Sequence, residues 1–290
     1  MITIFTPTYN RAYILPKLYE SLCAQTDKNF EWLVVDDGST DETFLLLEKW
    51  KAERKINVNY QFKQNGGLNS AYNFAVSMTN NEIFFRVDSD DSIKKNAIEE
   101  IKSNWHLVKD NEKLCGLVFL SVYKDGKIVG KHPFNKNTES NFFEYRNKFG
   151  AIGDRAEVIK TSVLKKYPFP KFGNEKFCPE GLMWNRIAKN YNAIYLNIPI
   201  YEREYIADSI TTNVVATLKK NAIGATAYYS ELLNMRPRFS YFIKNSLLFW
   251  RYAFFNKKKF IENLRMIPVF SWFSIIPAFG ILIIDKIRGR

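Results

Sequence analysis

The sequence predicts an α/β protein: a mainly parallel sheet flanked by helices, followed by a helical, membrane-associated C-terminal segment. Three observations predict it. Short β-rich apolar runs alternate with stretches of helical periodicity through residues 1–110. A polar cluster directly follows each run, as ligand-binding loops do at the carboxyl ends of strands. The composition, 46% hydrophobic and 25% charged over 290 residues, belongs to a folded globular chain and excludes bulk disorder.

Taken in order, Ile2–Phe5 is a short strand ending in the turn-prone T-P-T-Y-N. Tyr13–Leu22 reads as a helix, because Ile14, Leu18 and Leu22 recur every four residues. Phe30–Val35 is a second strand, stopped by D-D-G-S-T-D, and Thr43–Trp50 the helix after it. Val58–Phe62 runs into Q-N-G-G and a helix over Ser70–Met78. Ile83–Val87 runs into D-S-D-D and a helix over Ile93–Val108. Repeated β-α units with short connections make a parallel sheet with helices on both faces. The clusters after the strands are therefore expected to meet in space. Beyond Asn111 the pattern loosens. Leu114–Tyr123 and Lys127–Val129 suggest a hairpin around Asp125–Gly126, Glu180–Lys189 a helix and Ala193–Ile198 a strand.

Each cluster has a chemical and a plain reading. Asp88, Asp90 and Asp91 would repel one another unless a proton or cation intervenes. Mg²⁺ or Mn²⁺ shared with a substrate diphosphate would relieve that repulsion; a solvated acidic turn is the plain alternative. Asp36 and Asp37 can accept from the N–H of a base or from a ribose hydroxyl, or simply shape a turn with Gly38 and Ser39. Asn65-Gly66-Gly67 allows close backbone approach and opens a helix whose N-terminus favours phosphate, yet an ordinary turn accounts for it equally well. The run is neither G-x-G-x-x-G nor a Walker A loop, so hydride transfer and P-loop chemistry lack their fingerprints. Two histidines and three scattered cysteines (Cys23, Cys115, Cys178) exclude a His-rich metal site and a disulfide framework.

Together the clusters carry a family resemblance. T-P-T-Y-N-R at 6–11, V-V-D-D-G-S-T-D-E-T at 34–43, N-G-G-L-N-S-A-Y-N at 65–73 and V-D-S-D-D at 87–91 occur in the order and spacing of the family 2 glycosyltransferases. The resemblance is strong over 1–105, traceable to 212, and absent from the tail. It implies the GT-A fold, inverting chemistry, a Mn²⁺ or Mg²⁺ cofactor and a nucleotide-sugar donor, usually UDP-linked. It places Pro7 and Tyr9 at the base, Asp37 accepting from the uracil ring, and Asn65, Gly67 and Asn69 near the nucleotide. Asp88 and Asp90 match the D-x-D pair, with Asp88 near ribose or sugar and Asp90 on the metal; Asp91 has no assigned role. C-P-E-G-L-M-W-N-R-I at 178–187 resembles the family's acidic position before an apolar helix, making Glu180 the expected general base and Trp184 an acceptor wall. Helix-dipole stabilisation of a terminal acid and a buried aromatic are the plain alternatives. Arg203 is expected over the diphosphate, near D-S-I-T-T at 208–212, or else in an ion pair with Glu202 or Glu204. Leu68 and Asn69 stand where part of the family has Lys and His. The processive Q-x-x-R-W motif is absent, which favours a single addition.

The resemblance implies a donor half over 1–110, an acceptor half over 111–212 and an added region over 213–290. That region is distinctive. From Arg236 to Arg290 eleven Lys/Arg face two acids, giving +9 of the chain's formal +12. Met266–Ile284 carries no charge for nineteen residues but is interrupted by Pro268, Pro277 and Gly280. Phe242–Phe260 mixes large apolar and basic residues, as interfacial helices on anionic lipid do. Surface association is the expectation, with a membrane span and a folded helical subdomain as alternatives. Nucleic acid is not expected, because no binding module accompanies the charge. M-I-T-I-F-T-P has no basic, long-apolar leader pattern, so a cytoplasmic body at the inner membrane face is expected. The function expected is sugar transfer to a lipid-linked or cell-envelope glycan. A nucleotidyltransferase and a non-catalytic nucleotide-sugar-binding membrane scaffold are the competing classes.

Overall fold

The structure, a computed structural model, describes residues 1–204 and 214–287. It divides into two compact units, Met1–Pro168 with Ile187–Ile206, and Phe169–Arg186 with Ala207–Arg290.

The first unit is built on β1 (Ile2–Thr8), β2 (Phe30–Asp36), β3 (Asn57–Phe62) and β4 (Ile83–Arg86), with α1 (Leu15–Cys23), α2 (Thr43–Glu53) and α3 (Leu68–Met78) between them. These four strands are parallel, in the order β3-β2-β1-β4. Pro16 falls in the first turn of α1, where its missing N–H costs no hydrogen bond, and Leu15, Leu18 and Leu22 face inward. Tyr19 of α1 stacks on Trp50 of α2 at 4.2 Å, and both rings lie within 6.0 Å of Trp32 of β2. The Trp32 indole N–H is satisfied by the Thr6 hydroxyl at 2.9 Å, so this aromatic wedge buries no orphan donor.

The expected Ile93–Val108 helix is corrected. Ser92–Ile93 forms β5, and the helix α4 starts only at Ala97 and runs to Asn104, with Trp105–Leu107 as a 3₁₀ turn. Ile93 belongs to the apolar core, and β5 pairs antiparallel with Tyr201–Glu202. Next come β6 (Leu114–Tyr123), β7 (Thr138–Ser140), α5 (Phe142–Asn147), β8 (Arg155–Lys160), α6 (Thr161–Lys166), then α7 (Gly181–Ile187), which belongs to the second unit up to Arg186, and β9 (Asn192–Arg203). Among the described residues the sheet has nine strands, ordered β3-β2-β1-β4-β8-β6-β9-β5 with β7 on β9. β8 enters antiparallel between β4 and β6, so the first half of the sheet is parallel and the second mixed. The turn expected at Asp125–Gly126 forms, with Gly126 at φ +81°, but beyond it there is an isolated Val122–Ile128 bridge and no second regular strand. β9 outruns its expected end at Ile198 because Pro199 sits between two register shifts against β6, where a ladder N–H is dispensable.

The second unit joins residues 169–186 to α8 (Val214–Lys220), α9 (Ala222–Asn234), α10 (Phe239–Ala253), α11 (Phe260–Met266), a 3₁₀ stretch (Val269–Ser274) and α12 (Ile275–Ile287). Glu175 explains the attachment: its two carboxylate oxygens accept from the Ile223 and Gly224 amides, each at 2.8 Å, in the first turn of α9. Arg186 grips Glu231 of α9 through both Nε and Nη2. Gly224 lets the backbones meet, since a Cβ there would lie 2.8 Å from the Cys178 Cβ. Residues 169–186, expected in the acceptor half, thus cluster with the C-terminal helices. The apolar stretch 266–284 breaks at Ile267–Pro268, and Pro277 is accommodated in the first turn of α12. Among the described residues no helix is long and apolar enough to cross a membrane.

Candidate functional site

The parallel register puts Thr8, Asp36 and Arg86 at the same end of β1, β2 and β4, so the loops that follow converge as the β-α order predicts. The first two are hydrogen-bonded to each other. Asn10, at φ +52°, donates its amide to Ser39 Oγ at 2.8 Å and accepts from the Thr40 amide at 2.8 Å. Asp41 accepts from the Ala12 amide at 3.0 Å. Pro7 is half-buried in this junction and Tyr9 lies exposed beside it.

Asp37 is the hub. Its Oδ1 accepts from Lys63 Nζ at 2.6 Å and from the Gly66 amide at 2.9 Å, and its Oδ2 from the Gly67 amide at 2.7 Å. Asn65 Nδ2 donates to the Asp37 carbonyl at 2.8 Å. Gly38, at φ +91°, makes room: a Cβ there would lie 3.0 Å from the Asn65 amide nitrogen. The D-D-G-S turn and the N-G-G loop are therefore one structure, with Asn69 buried in the first turn of α3. Asp36 is buried and structural, accepting from the Ser39 amide and the Tyr60 hydroxyl.

The acidic turn follows β4. Asp88 pairs with Arg86 at 2.7 Å, and Asp90 lies 3.6 Å from Arg11 Nη1. Burial, then the charge of Asp88, holds the Asp90 carboxyl above the usual range. Asp91 is 1% exposed; Tyr201 donates its hydroxyl to it at 2.7 Å and the Glu204 amide donates at 3.0 Å. Burial, reinforced by Asp88, pushes Asp91 up to about 7. Tyr201 also accepts from the Asp88 amide at 3.1 Å, so β9 fixes the whole turn. Asp91, without a role in the sequence reading, is the anchor of that turn.

Arg203 lies 3.7 Å from Asp91 and pairs with Asp154. Its alternative pairings with Glu202 or Glu204 are not formed: Glu202 pairs with Lys94, and Glu204 with Lys17 and Lys124. The D-S-I-T-T segment at 208–212 lies outside the described residues. Lys63, Arg11 and Tyr201 are the residues the sequence reading missed. Lys63 stands two residues before the N-G-G run and Arg11 closes T-P-T-Y-N-R, so both lay within reach of the motifs.

Asp88 and Asp90 suit a divalent cation. The donors are hard oxygens, and the burial and Asp88 charge that together raise Asp90 are what such a charge would offset. Among the described residues no three His, Cys, Asp or Glu side chains form a ready-made metal centre. A cation here would take its remaining ligands from diphosphate and water.

In the second unit, Glu180 precedes α7 and its carbonyl accepts from the Met183 and Trp184 amides at 3.0 and 3.3 Å. Glu180 and Trp184 are both half-buried.

Comparison with known proteins agrees with this geometry. The family model described as glycosyl transferase family 2 matches residues 3–165, more than half of the chain. The chain is 33% identical over 223 residues to a chondroitin synthase of Pasteurella multocida, covering 76% of this chain and 22% of that one. It spans only 16% to 34% of the length of this and several other curated relatives. Staphylococcus aureus TarS 1–349 in complex with UDP-GlcNAc superposes with a TM-score of 0.66 at 18% identity, over 100% of this chain and 92% of that one. A mannosyltransferase of Pyrobaculum calidifontis, in complex with GDP-Man and Mn²⁺, gives 0.55 at 16% identity, over 98% and 79%. The shared fold is the GT-A fold, a mixed α/β sheet flanked by helices. On its motifs, its fold and its family match, the chain belongs to glycosyl transferase family 2.

Proposed function

We propose that this chain transfers a sugar from a nucleotide-sugar, UDP-linked, to a hydroxyl of a lipid-linked or cell-envelope glycan, inverting the anomeric carbon, at the inner face of the cell membrane. The observation that carries the reading is the convergence of three loops at the carboxyl ends of β1, β2 and β4, the first two hydrogen-bonded to each other and the third ion-paired to the first through Asp90 and Arg11. Family membership and the UDP-GlcNAc-bound neighbour support the donor class.

In this reading Pro7, Tyr9 and the Asp37-tied loop of Asn65, Gly67 and Asn69 receive the nucleotide. Asp88 and Asp90 would hold Mn²⁺ or Mg²⁺. When bound, the cation supplies Lewis-acid stabilisation of the charge that grows on the departing diphosphate. Arg11 and Arg203, beside the acidic turn, add positive charge at the same place. The acceptor oxygen attacks the anomeric carbon opposite the diphosphate and its proton passes to the Glu180 carboxylate. The bond from carbon to the diphosphate oxygen breaks, and the nucleoside diphosphate leaves with the electron pair. A positioned base of this kind contributes about 10²–10⁴-fold, roughly 3–5 kcal/mol of barrier. Trp184 stands as an acceptor wall.

The test is release of nucleoside diphosphate from UDP-sugars in the presence of membrane glycolipid extracts. Asp90→Ala and Glu180→Gln are each expected to lower turnover by at least about a hundredfold while leaving the melting temperature near that of the parent. Parental rates in both variants would overturn the assignment.

A further inference from the structure

The C-terminal unit contains an element folded inside out. Along residues 269–285 the inward side chains are Ser271, Ser274, Ala278 and Asp285, each at most 4% exposed. The outward ones are Val269, Phe270, Phe273, Ile276, Phe279 and Ile283, each 52% to 83% exposed. They recur every three to four residues and form a continuous stripe across the 3₁₀ stretch and α12. A surface helix in water shows the opposite pattern. The orientation is pinned from within: Asp285 pairs with Arg251 of α10 and, at 3.1 Å, with Lys219 of α8. Trp250 donates its indole N–H to the Ser271 carbonyl at 3.2 Å. Rolling the element to hide its isoleucines would break these bonds and strand a buried charge.

The borders of the stripe identify what covers it. Lys257, Lys258 and Lys259 are exposed in the loop between α10 and α11. Phe254, just before that loop, lies 6.1 Å from Phe279 of the stripe, and Phe260, just after it, lies 5.6 Å from Trp250. Arg265 is also exposed, while 266–284 carries no charge. A second copy docked stripe to stripe would bring two regions of +9 together. An anionic lipid leaflet answers both features, with acyl chains for the apolar stripe and headgroup phosphates for the lysines. At about 1.5 Å per residue, α12 is roughly 20 Å long, short of a hydrocarbon core of about 30 Å.

We propose that residues 269–284 insert, lying in the membrane plane, into the acyl boundary of one anionic leaflet, with Lys257, Lys258 and Lys259 bound to lipid phosphate. The inference deepens the membrane-surface part of the reading above and is independent of the donor site.

The experiment is flotation of the full chain with vesicles of phosphatidylcholine plus phosphatidylglycerol, against phosphatidylcholine alone. It is paired with tryptophan quenching by bromolipids, using Trp272→Phe as the reference. The parent is expected to float with anionic vesicles and to lose Trp272 emission to bromolipid. Phe270→Ser with Ile276→Ser is expected to weaken binding about a hundredfold without changing the melt, because both side chains are more than 80% exposed. Lys257→Glu with Lys258→Glu and Lys259→Glu is expected to abolish the preference for anionic lipid. Flotation without quenching, unaffected by the serine variant, would overturn insertion and leave surface adsorption standing. Absence of flotation with either vesicle would overturn both, as would dimerisation that the serine variant abolishes.

Discussion

Asp37 shows how one side chain can organise a binding loop before any ligand arrives. Both of its oxygens receive donors from the Lys63–Gly67 segment, so its carboxylate is first a clamp between two loops. Asp37→Ala leaves two glycine amides and an ammonium without their acceptor. It is expected to cost about 1–3 kcal/mol, read in a urea melt, together with loss of nucleotide binding. Glu204 supplies a pH test. Its pairs with Lys124 and Lys17 hold its carboxyl down to about 2, against 4.5 for the free group. A depressed acid contributes stability above its unfolded pKa and loses it as pH falls through the folded one. The melting temperature of the parent is therefore expected to fall faster than that of Glu204→Gln between about pH 4.5 and pH 2, the two curves staying parallel above that range. Parallel curves across the whole range would show that the pairs contribute nothing, as many exposed ion pairs do.

Among elements, those whose side chains follow a simple period were legible in the sequence, and those held by polar exceptions were not. β1 to β4 and α1 to α3 appear within a few residues of their expected limits, because alternating apolar runs and helical repeats mark them directly. β8 was missed because R-A-E-V-I-K begins with a charge. That charge is buried, the Arg155 guanidinium donating to the carbonyls of Val129, Lys131 and Asp154 and to the Tyr145 hydroxyl. β5 leaves no signal in the sequence, because a two-residue strand has no period to detect, so the helical pattern extends back to Ile93. The site shows the same division. The acidic and glycine motifs were visible as motifs, whereas Tyr201, 110 residues from Asp91, is brought to it only by strand pairing. The attachment of residues 169–186 was equally invisible, since it rests on polar contacts with a helix about 45 residues away, the Glu175 cap of its first turn and the Arg186–Glu231 pair. Glu175→Ala is expected to destabilise the second unit by about 1–2 kcal/mol, measured by hydrogen exchange of the α9 amides, with nucleotide binding retained. Unchanged protection of α9 would place its anchorage elsewhere.

At the scale of the whole molecule, charge and chemistry separate along the chain. Residues 1–235 carry +3 and include the motif-bearing loops, while 236–290 carry +9 and an outward apolar stripe. The central claim concerns the first unit: a nucleotide-sugar site that needs a cation at Asp88 and Asp90. Its most direct test is thermal stabilisation of the full chain by UDP, GDP or CDP, each with Mn²⁺ or with chelator, alongside Asp90→Ala. A ligand at a hundred times its dissociation constant adds about 2.7 kcal/mol if it binds only the folded state. The account predicts stabilisation of that order by UDP with Mn²⁺, lost with chelator and lost in Asp90→Ala. Equal melting temperatures with and without all three nucleotides in the presence of Mn²⁺ would contradict it.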